Sequence, residues 1–213
     1  MEFIEIALSA YCENHTSPES DLLKKVNRDT NAEVLLPRML SGHLQGRFLS
    51  FISSMIKPEK ILEIGTYTGY SALCLAEGLK SSGKLITIDI NAELEDRVRE
   101  YFDQSEYSKN ITYIIGNALK VIPSLNEEFD LVFIDADKEN NDAYFDLVID
   151  KLKTGGFLLI DNVLWSGKVI AQGVKQDKDT QSILDFNTKI QTDKKLKNML
   201  LPIRDGIMMI QKI

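Results

Sequence analysis

Residues 60–90 read KILEIGTYTGYSALCLAEGLKSSGKLITIDI. Two short apolar runs, KILEIG (60–65) and KLITIDI (84–90), flank the longer stretch SALCLAEGL (71–79). Apolar runs of that length, punctuated by glycine, predict buried strands, and the stretch between them predicts a helix. Such a unit is a crossover connection, which sets its two strands parallel in one sheet.

The alternation continues toward the C-terminus. AELEDRVREYFDQS (92–105), ALKVIPSL (118–125) and NNDAYFDLVIDKL (140–152) predict helices, and NITYIIG (110–116), FDLVFIDA (129–136) and GGFLLIDN (155–162) predict strands three to five. A helix over TQSILDFNTKI (180–190) precedes two last strands, NMLLPI (198–203) and GIMMIQKI (206–213). Arg204-Asp205-Gly206 between them is a tight-turn signal, so these two pair as an antiparallel hairpin. Residues 2–56 show helical spacing and no strand signal. Ser17-Pro18-Glu19 reads as the cap and first turn of a helix through about Asp29. Leu44, Phe48, Leu49 and Ile52 share one face of a helix over Gly42–Ile56, which Lys57-Pro58 ends. The expected architecture is therefore a Rossmann-like α/β fold. Its seven-stranded, mostly parallel sheet has helices on both faces, with a C-terminal antiparallel hairpin and an N-terminal helical extension. Without repeats or linkers, residues 1–213 form one domain, the extension over 1–56 and the core over 57–213.

The composition agrees. The chain has 213 residues, 44% hydrophobic and 27% charged, which suits a globular protein and not a disordered one. Cys12 and Cys74 are too few for a disulfide framework, and with His15 and His43 they make no convincing zinc site. Twenty-five basic against thirty-two acidic residues leave a charge of −7, which weighs against a nucleic-acid partner. The N-terminal MEFIEIALSAYCENH carries acids where a signal peptide carries bases, and no apolar run reaches spanning length. A cytoplasmic protein with no membrane partner is expected, and the sequons at Asn14 and Asn110 read as chance matches.

Ligands of open α/β sheets bind beyond the carboxyl ends of the strands, so the residues just after each strand carry the functional information. After strand one, Gly65 and Gly69 permit a tight turn and a close backbone approach. Their G-x-x-x-G spacing is not the dinucleotide fingerprint, and Glu63 would repel a pyrophosphate. A ligand with positive charge or free hydroxyls suits it. Asp89 ends strand two, where a carboxylate accepts both hydrogen bonds of a ribose diol. Asp135 after strand four, with Asp161 and Asn162 after strand five, form a set of hard oxygen donors suited to Mg²⁺, or to Ca²⁺ or Mn²⁺. Lys138, three residues past Asp135, can act there as a base. Taken singly, each residue would read more simply as a turn, a cap or a solvated charge. Two acidic clusters on adjacent strand ends favour the functional reading. The stretch GLKSSGK (78–84) imitates a phosphate loop, but it follows a helix, precedes a strand and is followed by Leu85 where Ser or Thr is required.

EIGTYTGYS (63–71), DIN (89–91), FIDADKENN (133–141), DNVLWSG (161–167) and LPIRDGI (201–207) together resemble the small cation-dependent O-methyltransferases, which include catechol and caffeoyl-coenzyme A O-methyltransferases. The resemblance covers about residues 35–213 in matching order. It implies a class I fold that binds S-adenosylmethionine through Glu63, Gly65, Tyr67 and Ser71, with Asp89 on the ribose and Ala118 along the adenine. Asp137 and Ser41 match further cofactor contacts. The same resemblance assigns Asp135, Asp161 and Asn162 to a divalent cation, Mg²⁺ first, and Lys138 to general-base catalysis. It also implies a homodimer.

The implied reaction is methyl transfer to a hydroxyl of a small catechol-like acceptor. Two departures weigh against a coenzyme A thioester acceptor. Ser166 stands where the plant enzymes carry a substrate-binding asparagine, and QDKDTQSILDF (176–186) has neither arginine nor tyrosine. Trp165 is a candidate wall of the acceptor pocket. Two alternatives are methylation of a hydroxylated tRNA base, for which Lys189, Lys194, Lys195 and Lys197 offer a local basic patch, and a non-catalytic cofactor-binding module. The latter needs neither the cation ligands nor Lys138. The missing fingerprint excludes an NAD-dependent enzyme.

Overall fold

In the central strands, successive side chains face opposite sides of a sheet, and both sides are apolar. Leu131 and Phe133 enter one core, while Val132 and Ile134 enter the other. This two-sided burial requires helices on both faces. The computed structural model describes residues 4–171 and 177–213, so residues 1–3 of the N-terminal stretch and Gln176 lie outside the described residues.

The sheet contains β1 (Lys60–Ile64), β2 (Lys84–Asp89), β3 (Ile111–Ile115), β4 (Phe129–Ile134), β5 (Leu152–Asp161), β6 (Leu196–Leu201) and β7 (Ile207–Lys212), in the order β3-β2-β1-β4-β5-β7-β6. The first five strands are parallel, and β7 lies antiparallel between β5 and β6. The expected seven-stranded sheet with an antiparallel C-terminal hairpin is what the chain forms. After β1 the chain moves outward to β2 and β3, then returns to the other side of β1 for β4. That reversal opens a crevice between the carboxyl ends of β1 and β4.

The helices are α1 (Ile6–Asn14), α2 (Asp21–Glu33), α3 (Gly42–Ile56), α4 (Tyr70–Ala76), α5 (Glu95–Gln104), α6 (Ala118–Ser124), α7 (Asn141–Ile149) and α8 (Lys178–Thr192). Residues of α2, α3, α4 and α5 share one core, and those of α6, α7 and α8 share the other. None of the described helices is long and apolar enough to cross a membrane.

Two details of the extension differ from expectation. α2 starts at Asp21 rather than beside Pro18, because the Ser20 hydroxyl accepts from the Leu23 amide at 3.3 Å. It runs on to Glu33 because Val26 and Thr30 continue the buried stripe begun by Leu23. In α3, Leu49 and Ile52 of the expected face are buried, but Leu44 and Phe48 are only half-buried, and Gln45 and Gly46 turn inward beside Leu49.

Candidate active site

A cleft of about 1420 Å³ runs along the carboxyl ends of β1 to β5. Its floor is set by a close approach at the chain reversal. The Asp135 amide donates to Ile64 O at 2.8 Å, and the Gly65 amide to Ile88 O at 2.9 Å. Gly65 has φ +100°, and a Cβ there would stand 2.0 Å from Asp135 O. Only glycine fits this position. The two loops that carry the chemistry, after β1 and after β4, are thereby locked together.

On the β1–β2 side, Asp89 accepts from the Tyr67 amide at 2.6 Å and from the Asn91 amide at 2.8 Å. Its carboxylate is fixed by backbone donors at the mouth of the cleft. Tyr67 is held in the left-handed region at φ 48°, and its hydroxyl donates to Leu35 O at 2.9 Å. Ser41, Ser71 and Ala118 also line this cleft.

Glu63 lies beneath the cleft instead of lining it. It is wholly buried and accepts from the Thr87 hydroxyl at 2.5 Å, while its second oxygen has no partner. Burial pushes its carboxyl up to about 8. The hydroxyls of Ser71 and Thr87 oppose that rise, and the carboxylates of Asp135 and Asp89 add to it.

On the β4–β5 side, Asp135, Lys138, Asp161 and Asn162 line one wall. Lys138 Nζ stands 3.1 Å from Asp135 Oδ1. Asp161 is 4% exposed; its Oδ1 accepts from the Asn162 amide and its Oδ2 from Gln45 Nε2, both at 2.7 Å. Burial first, then the Asp135 carboxylate, pushes Asp161 up to about 7, against the pull of Lys138 and Gln45. The carboxylates of Asp135 and Asp161, backed by the Asn162 amide oxygen, make a hard-oxygen donor set, and a divalent cation there would relieve the repulsion that raises Asp161. Among the described residues no cluster of three His, Cys, Asp or Glu forms, so a cation here depends on the Asn162 amide as its third protein donor. Asp137, on the adjacent turn, accepts from the Tyr144 hydroxyl at 2.6 Å and from Asn140 Nδ2.

Eleven of the twelve candidate site residues thus share one cleft, and Glu63 supports it from below. Gln45 carried no sequence signal, and Arg204 and Asp205 were marked in the sequence only as a tight turn within LPIRDGI (201–207). Gln45 is fully buried and reaches Asp161 across 116 positions of chain. Arg204 donates to Arg38 O at 3.0 Å and to the carbonyls of Leu40 and Ser41. Asp205 accepts from the Ser166 amide at 2.5 Å. A polar residue on an otherwise amphipathic helix and a charged turn look ordinary until the chain is folded.

Residues 13–213 match the family model described as O-methyltransferase. The caffeoyl-CoA O-methyltransferase of Mesembryanthemum crystallinum is 33% identical over 199 residues, 87% of this chain and 78% of that protein. The mouse catechol O-methyltransferase domain-containing protein 1 is 34% identical over 174 residues, 79% of this chain and 66% of that one. Among solved structures, the O-methyltransferase from Bacillus cereus in complex with SAH superposes with a TM-score of 0.87 at 30% identity, covering 97% of each chain. With the matched order of sequence motifs and the cleft at the chain reversal, these similarities establish that the chain belongs to the O-methyltransferase family.

Proposed function

We propose that this chain transfers the methyl group of S-adenosylmethionine to one hydroxyl of a catechol-like small molecule, with a divalent cation as helper. The observation that carries the reading is the shared cleft wall: Asp135, Asp161, Asn162 and Lys138 face the same space as Asp89, Tyr67 and Gly65. The SAH complex of the Bacillus cereus relative supports the cofactor. The names of the plant and mouse relatives support a caffeoyl-CoA or catechol type of acceptor.

In this reading the Asp89 carboxylate, aimed by two backbone amides, takes the ribose diol. Gly65 lets the cofactor approach the backbone, and Tyr67, Ser71, Asp137, Ser41 and Ala118 surround it. Asp135, Asp161 and Asn162 hold the cation, Mg²⁺ before Ca²⁺ or Mn²⁺, which when bound supplies Lewis acidity to the acceptor's oxygens. A free phenol titrates near pH 10, so ionising it at neutral pH costs about 4 kcal/mol. Lys138 Nζ takes that proton as the general base. The cleft aligns the oxygen with the methyl group, and such alignment contributes on the order of 7 kcal/mol or more. The acceptor is a free catechol, because the loop around Ser166 and the described part of segment 176–186 offer no arginine or tyrosine to a coenzyme A tail. The reading includes a homodimer in the cytoplasm.

Transfer from labelled S-adenosylmethionine to caffeic acid, with Mg²⁺ and with EDTA, tests it. Lys138→Ala and Asp135→Ala are each expected to lower turnover at least 100-fold, in the range of a lost general base or cation. Turnover insensitive to EDTA and to both variants would remove the cation and Lys138 from the reaction. Cofactor binding without transfer would redirect the search to hydroxylated tRNA bases or to a binding role.

A further inference from the structure

The β6–β7 turn sits at the far edge of the cleft, beyond the proposed cation ligands. β7 pairs with β5 in a register that sets Ile207 opposite Asp161, so the turn preceding Ile207 projects past the end of β5. Two adjacent residues of this turn reach in different directions. Arg204 donates to the carbonyls of Arg38, Leu40 and Ser41, on the segment that leads into α3. Asp205 accepts from the Leu164 amide on its carbonyl at 2.9 Å and from the Ser166 amide on its carboxylate at 2.5 Å, on the loop after β5.

Both tethered segments are walls of the cleft: Met39 and Ser41 belong to one, Trp165 and Ser166 to the other. Each wall is held locally by turn bonds, such as the Leu40 amide to Pro37 O at 3.1 Å and the Gly167 amide to Leu164 O at 3.0 Å, and needs support beyond them. Residues 165–167 all adopt positive φ, a conformation that side chains other than glycine resist. Arg38 and Met39 end the short 3-10 helix Pro37–Met39 ahead of α3, and the carbonyls of Arg38, Leu40 and Ser41 receive no turn or cap bond from the described backbone. The turn itself is fixed, because the Gly206 carbonyl receives the Val163 amide at 3.2 Å and a Cβ on Gly206 would meet Leu164 Cγ at 2.4 Å.

We propose that Arg204 and Asp205 are positioning residues that clamp the two walls at a set separation and so determine which acceptors fit. The inference rests on the reading of this end of the cleft as the acceptor end. A flat ring with vicinal hydroxyls is the chemistry that fits between a thioether wall and an indole wall. Holding the walls in advance spares the acceptor the ordering cost on binding. Loosening either tether therefore acts on acceptor affinity and on size discrimination, more than on the chemical step.

The test is steady-state kinetics of Arg204→Ala and Asp205→Ala with unsubstituted catechol and with a bulky 4-substituted catechol, alongside calorimetric binding of SAH and thermal melting. Each variant is expected to raise the KM for catechol about tenfold while kcat changes less than about threefold, the signature of lost binding. The preference for the small acceptor should shrink in both variants, and SAH affinity should hold in Asp205→Ala, whose side chain tethers Ser166 and no proposed cofactor contact. Millimolar guanidinium chloride, but not sodium chloride, should recover part of the KM of Arg204→Ala. If that variant fails to fold, Arg204→Lys, which keeps one donor, is expected to show the same change in preference at smaller amplitude. Folded variants with unchanged KM and unchanged preference overturn the clamp. A parallel loss of SAH affinity in Asp205→Ala overturns it as well, by making the effect general. Absence of transfer in the wild-type protein overturns the proposed function, and the clamp with it.

Discussion

At the scale of single residues, Glu63 has the clearest consequence. Its carboxyl titrates at about 8 in the fold against an ordinary 4.5, because burial disfavours the charge. Between those values the folded chain holds a proton that the unfolded chain has released. Rising pH through that window therefore erodes stability, by at most ~1.4 kcal/mol per pH unit from this group. Glu63→Gln keeps an acceptor for the Thr87 hydroxyl and removes the titration. Its melting temperature relative to wild type should rise steadily from about pH 5 to about pH 8, as the linkage requires. A constant difference across that range would mean that Glu63 is ionised throughout. The same burial gives Glu63 a functional reading. A positive ligand above it, such as the sulfonium of the proposed cofactor, would stabilise its negative charge and lower the pH at which it ionises.

At the scale of elements, the sheet was legible and the extension only partly so. The strands announce themselves because both faces are buried, so LVFI and LLI read as unbroken apolar runs and ILEI and LITI as runs broken by one residue each, Glu63 and Thr87. The hairpin was legible from Arg204-Asp205-Gly206. What that turn touches was not, since both of its targets lie far away in sequence. The clustering of Asp89, Asp135, Asp161 and Asn162 followed from their places at strand ends, whereas Gln45 and Arg204 act across long separations that no local pattern marks. The polar inner face of α3 was hidden for the same reason. Arg47 on α3 makes a two-pronged pair with Glu77, at 2.9 and 2.7 Å, just past the end of α4, and Ser50 adds a bond to the same carboxylate at 2.5 Å. Removing one member strands a largely buried charge. Glu77→Ala should cost about 3 kcal/mol in denaturant unfolding, with an unchanged slope. Arg47→Met combined with Glu77→Leu should recover most of that loss, because two apolar chains refill the space without a charge. An additive double variant would show that the pair does not couple α3 to α4.

At the scale of the whole molecule, the two cores account for the sheet and for α2 to α8, but α1 contributes nothing to either. None of its residues is buried, although Ile6, Leu8 and Tyr11 are large and apolar. α3 likewise leaves Phe51 59% and Met55 70% exposed on the side away from its buried stripe. A charge of −7 opposes non-specific association, yet it does not explain why so much apolar area stays open. A second copy of the chain, meeting these helices across a two-fold axis, would bury the same patch on both subunits at once. Light scattering should then give a mass of twice the 24.1 kDa chain. Phe51→Glu with Met55→Lys should shift it to the monomer without lowering SAH affinity, because neither residue lines the cleft. Dimers that survive this double variant would move the interface off α3. A wild-type monomer at high concentration would leave α1 and α3 to cover some other apolar partner.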